Sequence, residues 1–106
     1  DGSSATSSRN TGTTFDTFLP IAGNTSTSGI FSSVTCHILN YANTSTFKTC
    51  IARSANDLNG SGTTTLQVGL LRSTSAVTSL QVFEYDGNSM VSGTTYALYG
   101  IRSVGQ

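Results

Sequence analysis

The sequence predicts an all-β protein, an antiparallel β-sandwich or jelly roll. Three observations carry this. Apolar residues alternate with period two along several short runs, which is strand periodicity. No window of a dozen residues places apolar side chains at i, i+3, i+4 and i+7 among good helix formers. Clusters of Gly, Asn, Asp and Ser recur every dozen or so residues, a turn spacing proper to sandwiches and jelly rolls.

The elements follow in chain order. Residues 1–12 read DGSSATSSRNTG with Ala5 as their only apolar side chain, and are expected to be a flexible arm or linker. The remainder, 13–106, reads as a single domain, since 106 residues leave too little chain for two ordinary cores. Thr13–Leu19 is the first expected strand, with Phe15 and Leu19 on one face, and Pro20 follows where a missing donor does no harm. Ile30–Tyr41 sets Val34, Cys36 and Ile38 against His37, Leu39 and Tyr41. Thr46–Ser54 is shorter and contains Phe47, Ile51 and Ala52. Thr63–Arg72 puts Leu66, Val68 and Leu70 on one side, with Gln67 and Gly69 opposite. Val77–Tyr85 sets Val77, Phe83 and Tyr85 against Leu80 and Val82. Thr94–Ser103 alternates Tyr96, Leu98 and Gly100 with Ala97, Tyr99 and Ile101. The turns between them fall at Ala42–Ser45, Asn56–Gly62, Asp86–Ser89 and Ser92–Gly93.

Several of these strands are apolar on both faces, whereas an antiparallel sheet usually leaves one face to water. The second face is therefore expected to meet another subunit or the centre of a sandwich. A homotrimer is the expected assembly, with Tyr41, Phe47, Phe83, Tyr96, Tyr99 and Ile101 packing in the core or between copies.

Composition narrows the function. Five basic and five acidic residues give zero formal net charge, and charged residues make up 9% of the chain. That is a poor electrostatic footprint for nucleic acid, and no polybasic or amphipathic helical segment offers a membrane-surface anchor. Seventeen Ser and 18 Thr supply the polarity that charges supply elsewhere. The apolar 36% recurs in order, which sets aside disorder beyond the arm. Asp1 in place of Met reads as a processed or trimmed chain, or a piece of something longer.

Catalytic constellations are not readable. The one histidine, His37, lies mid-strand with no GxSxG elbow in the chain, so it reads as a strand residue at a surface or interface. Two cysteines and one histidine fall short of a zinc set, and the single lysine, Lys48, belongs to no phosphate loop. Glu84 and Asp86 are the only close carboxylates and do not assemble a glycosidase pair. Asp57, Asn59 and Ser61 match the first half of a calcium loop, but the twelfth position is Val68, so a glycine-rich hairpin is the favoured reading and no cofactor is expected. Three N-x-S/T sequons, at Asn24, Asn43 and Asn59, are about what chance gives in so hydroxyl-rich a chain. Cys36 and Cys50 flank the Ala42–Ser45 turn. A three-residue loop would place them directly opposite and a loop two residues longer would offset them, and a disulfide and a pair of thiols both remain open.

Two segments resemble a known family. They are Phe31–Arg53 (FSSVTCHILNYANTSTFKTCIAR) and Leu71–Val104 (LRSTSAVTSLQVFEYDGNSMVSGTTYALYGIRSV). Together, over the last three-quarters of the chain, they resemble a β-sandwich module of tailed-bacteriophage virion proteins. The resemblance rests on Asn40-Tyr41-Ala42-Asn43-Thr44, Phe47-Lys48, Arg72-Ser73-Thr74-Ser75-Ala76-Val77, Ser92-Gly93-Thr94 and the closing Leu98-Tyr99-Gly100-Ile101. Phe47 and Leu71 stand where the family shows Tyr and Trp. It implies a jelly-roll-like trimer in a tail fibre, a receptor-binding protein or a capsid-surface protein, hence a virion location and other virion proteins as neighbours. Arg72 is a candidate anchor for carbonyls or for Glu84 at a subunit contact, or a solvated surface arginine.

The leading functional expectation is non-enzymatic attachment of a tail-fibre module to a host surface glycan or protein, through loops bearing Asn43, Asn59 and Asn88. Capsid decoration (cement) on the phage head is the alternative, and a secreted carbohydrate-binding module is a third reading.

Overall fold

The computed structural model describes residues 19–84 and 87–102. The arm expected over 1–12, the strand expected over Thr13–Leu19 except for Leu19 itself, and Tyr85 and Asp86 lie outside them. Within the described residues the protein is all-β, with no helix. Three strands, β1 (Ser32–Leu39), β2 (Lys48–Asp57) and β3 (Gly62–Leu71), form one antiparallel sheet in the order β1-β2-β3.

Both connections are local. Asn40, at φ 58°, turns the chain after β1, and Asn43 N–H donates to Asn40 O at 3.0 Å. Between β2 and β3, Asn59 (φ 55°) and Gly60 (φ 106°) make the turn, closed by Leu58 N–H donating to Ser61 O at 2.9 Å. Asn and Gly tolerate this left-handed region, which is why the hairpin forms there. Gly62, opposite Asp57, has a different need: a Cβ on it would stand 3.0 Å from Asn56 O.

Register fixes the faces. Ile38 pairs with Cys50 and Cys36 with Ala52, so Ser32, Val34, Cys36 and Ile38 share a face with Lys48, Cys50, Ala52, Ser54 and Asn56. On that face every β2 residue from Lys48 to Asn56 is buried. On the opposite face Leu39 and Ile51 of the first two strands lie beside Leu66, Val68 and Leu70 of β3, and all five are exposed.

The protomer therefore has very little apolar core. Its buried apolar residues among those described are Ala22, Cys50 and Ala52, while seventeen large apolar or aromatic side chains are exposed. The largest fully buried side chains are those of Lys48 and Cys50.

Two expected strands are not strands here. Over 77–84 and 94–102 the described backbone forms no ladder. The chain is tied down only at points: Val77 N–H donates to Tyr41 O at 2.8 Å, and Gly23 and Met90 make an isolated antiparallel bridge. Alternation alone does not make a strand, because each needs a neighbour to take its N–H and C=O groups. Among the described residues these segments have none.

Candidate functional site

Lys48 opens β2, and its side chain turns to the covered face, where it is 2% exposed. Its ammonium donates to four backbone carbonyls. Two belong to the β1–β2 loop, Asn43 O and Thr46 O, the latter at 3.0 Å. Two belong to the corner after β3, Thr74 O at 2.8 Å and Ser73 O at 3.4 Å. The register explains this convergence, since Lys48 pairs with Leu71 and so stands where both segments leave the sheet. Three donors on a tetrahedral nitrogen suit such a cage. Lys48 thus performs the carbonyl anchoring that the sequence suggested for Arg72, which is exposed. A buried lysine is rare enough that composition gives no warning of it.

The three loop asparagines fall at two ends of the sheet. Asn43 sits in the pinned β1–β2 loop, where its Oδ1 accepts from Ser45 N–H at 2.7 Å and Thr46 N–H at 2.9 Å. Its side-chain oxygen is thereby committed to the shape of its own turn. Asn59 lies at the opposite end, exposed at the tip of the β2–β3 hairpin. Asn88 is exposed, and its N–H donates to Glu84 Oε2 at 3.1 Å. The chain beside Asn88 is tied to the same end of the sheet as Asn59: Asn24 N–H donates to Ser89 O at 2.9 Å, and Ala22 N–H to Ser32 Oγ at 2.9 Å, where Ser32 opens β1 opposite Asn56.

Asp57, Asn59 and Ser61 form the hairpin loop itself. Asp57 Oδ1 accepts from Asn59 N–H at 2.8 Å, the turn-capping use of an aspartate. No group of three or more His, Cys, Asp or Glu able to hold a metal occurs among the described residues. His37 is exposed in mid-β1, opposite Ile51 on the open face.

Cys36 and Cys50 are diagonal, not directly opposite, because the β1–β2 connection takes the longer of the two loops considered. Their sulfurs are 3.2 Å apart, a thiol–thiol contact longer than the roughly 2 Å of a disulfide bond. Further along the same buried face, Ser54 Oγ and Asn56 Oδ1 have no hydrogen-bond partner.

The six side chains expected in the core or between copies, Tyr41, Phe47, Phe83, Tyr96, Tyr99 and Ile101, are all exposed. None is in the core formed by the described residues. Tyr96 O–H donates to Met90 Sδ, and Gly100 passes close to the Tyr41 hydroxyl. No helix among the described residues is long and apolar enough to cross a membrane.

Comparison with protein-family models, with curated proteins and with solved structures returns no match.

Proposed function

We propose that the chain is a non-enzymatic structural module of a phage virion, a trimer whose copies together complete a β-sandwich or jelly roll and which attaches a tail fibre to a host surface glycan or protein. The virion reading rests on the resemblance of Phe31–Arg53 and Leu71–Val104 to tailed-phage modules; the observation that carries the assembly is the inversion of the sheet. Its covered face holds small and polar side chains, while Leu39, Ile51, Leu66, Val68 and Leu70 stand exposed on the other. An apolar face of that size on a folded chain marks an interaction surface. Copies of one chain most often close it by symmetry.

The loops supply the recognition surface. The hairpin tip at 58–61 and the 87–89 loop lie towards one end of the sheet, exposed and rich in amide and hydroxyl groups, which suits hydrogen bonding to sugar hydroxyls or a polar protein surface. The opposite end, held by Lys48, is the rigid one and suits attachment to the rest of the virion.

Light scattering on the purified chain tests the assembly. Three times the 11.0 kDa protomer mass is expected, and a steady 11.0 kDa particle at high micromolar concentration overturns it. Binding of the labelled trimer to host cells, lost on Asn59→Ala or Asn88→Ala, tests the attachment. Cryo-microscopy of the virion tests the location: density on every capsomer instead of at the tail makes the chain a capsid decoration protein.

A further inference from the structure

We propose that residues 94–101 of one copy lie as an added strand along the outer edge of β3 of a second copy. This rests on the self-association proposed above and names the contact that produces it.

The acceptor is an unguarded edge. β3 is the last strand in the order β1-β2-β3, so one side of its backbone faces no strand among the described residues. Natural sheets blunt such edges with charge, proline, bulges or short length, because open N–H and C=O groups recruit other strands. β3 carries none of these: it is ten residues long and reads GTTTLQVGLL, without charge or proline. β1, the other outer strand, is already approached by Ala22, which donates to Ser32 Oγ.

The donor is a strand without a ladder. Residues 94–101 read TTYALYGI, again without charge or proline, and bulky side chains alternate along them. Tyr96 is 64% exposed, Leu98 83%, Tyr99 83% and Ile101 81%. The segment leaves a fixed hinge. Gly93 turns the chain at φ 91°, Thr94 N–H and Oγ1 both donate to Val91 O, and Met90 is bridged to Gly23. The other unpaired segment, 77–84, is held at both ends, by Val77 on Tyr41 O and by Glu84 receiving Asn88 N–H. Among the described residues, only 94–101 is secured at one end and left to run free of any ladder up to Gly100.

The two surfaces complement each other. A strand beside β3 adds alternate side chains to the face of Leu66, Val68 and Leu70, exposed by 71%, 74% and 54%. The seven side chains of donor and acceptor, about three-quarters exposed and roughly 200 Å² each, offer on the order of 1,000 Å² counted over both partners of one contact; that is about the least a specific interface buries, and a ring of three copies makes three such contacts. Donor and acceptor are different surfaces, so the contact is head-to-tail, and such contacts form rings when the rotation closes. Three copies, each giving one strand and receiving one, make the trimer.

The test uses mixed oligomers of the full chain, half isotope-labelled and half unlabelled, read by filtered nuclear Overhauser spectroscopy. Cross-chain contacts between residues 94–101 and 64–70 are expected. An oligomer whose cross-chain contacts lie elsewhere overturns the strand exchange and leaves self-association standing; a chain that stays monomeric overturns both. Leu98→Pro supplies the second arm, since proline in mid-strand removes a ladder donor. It is expected to weaken assembly at least tenfold while β2 amides stay protected from exchange. Unchanged assembly overturns the proposal, and the labelled wild-type experiment decides the matter if this variant does not fold.

Discussion

Lys48→Met removes the ammonium and keeps most of the side chain's length and apolar bulk, so it isolates the four carbonyl bonds. Hydrogen bonds to a charged group contribute about 1.5–3 kcal/mol each when buried. The four acceptors are not equally buried. Thr46 and Thr74 are exposed residues and Asn43 and Ser73 half-buried ones, and Ser73 O lies at the long distance of 3.4 Å, so about two full bonds are counted. Two such bonds give a gross loss of about 3–6 kcal/mol. Methionine also escapes the cost of burying an ammonium, which returns one or two kcal/mol as an order-of-magnitude figure. The net expectation is a loss of about 1–5 kcal/mol, or roughly 1–4 M in urea midpoint for an m-value near 1.2 kcal/mol per molar. Lys48→Arg is expected to lose part of the same energy, because a planar guanidinium does not converge on four carbonyls from one point. Denaturation of both variants at a single protein concentration measures this. A Lys48→Met midpoint equal to the wild type refutes the claim that the cage holds the corner to the loop.

The other predictions are simpler. Native thiol titration is expected to show one fast-reacting group, Cys36, with Cys50 (1% exposed) reacting only on unfolding; no thiol titrating in denaturant without reductant would mean a disulfide instead. Ser54→Ala is expected to raise stability by about 1 kcal/mol, because it removes a buried hydroxyl with no partner, and a loss of that size in urea melts would reveal an unseen one. Gly62→Ala is expected to cost about 1 kcal/mol, since its Cβ would press on Asn56 O, and a neutral urea melt would show that the hairpin yields. Thermal midpoints are expected to rise with protein concentration; for a trimer, tenfold more protein adds about 0.9 kcal/mol per protomer, two-thirds of the 1.4 kcal/mol that a factor of ten represents. A midpoint independent of concentration would place the stability within the single chain.

Three strands were legible because their causes are local. Asn59-Gly60 fixes the β2–β3 turn, and alternation on either side fixes which residues share a face. Which face is covered was not legible, since period two gives two faces and no label for either. In β2 a reader assigns Ile51 inward and Lys48 outward from side-chain chemistry, and the structure does the reverse. The cage around Lys48 depends on segments 25 and 26 residues away and leaves no local mark. The cysteine offset was legible as one of two alternatives, decided by loop length. The segments 77–84 and 94–101 carry the same alternation as β1 and β3, yet pairing depends on a neighbour that sequence periodicity cannot see.

That last difference bears on where the folding energy resides. Burying a Leu, Ile or Val side chain fully contributes about 1.5–3 kcal/mol, and a whole domain is stable by only about 5–15. Within the protomer the covered face of β2 offers Cys50 and Ala52, alongside Ser54 and Asn56 with unpartnered oxygens, so its burial contributes little. The open face, with Leu39, Ile51, Leu66, Val68 and Leu70, has as much to gain as a small domain needs in total. On the self-association proposed above, folding and assembly are one step for this chain, and the polar interior of the protomer becomes intelligible. Lys48 gives that interior its shape by tying loop to corner, while the proposed assembly assigns the apolar energy to contacts between copies.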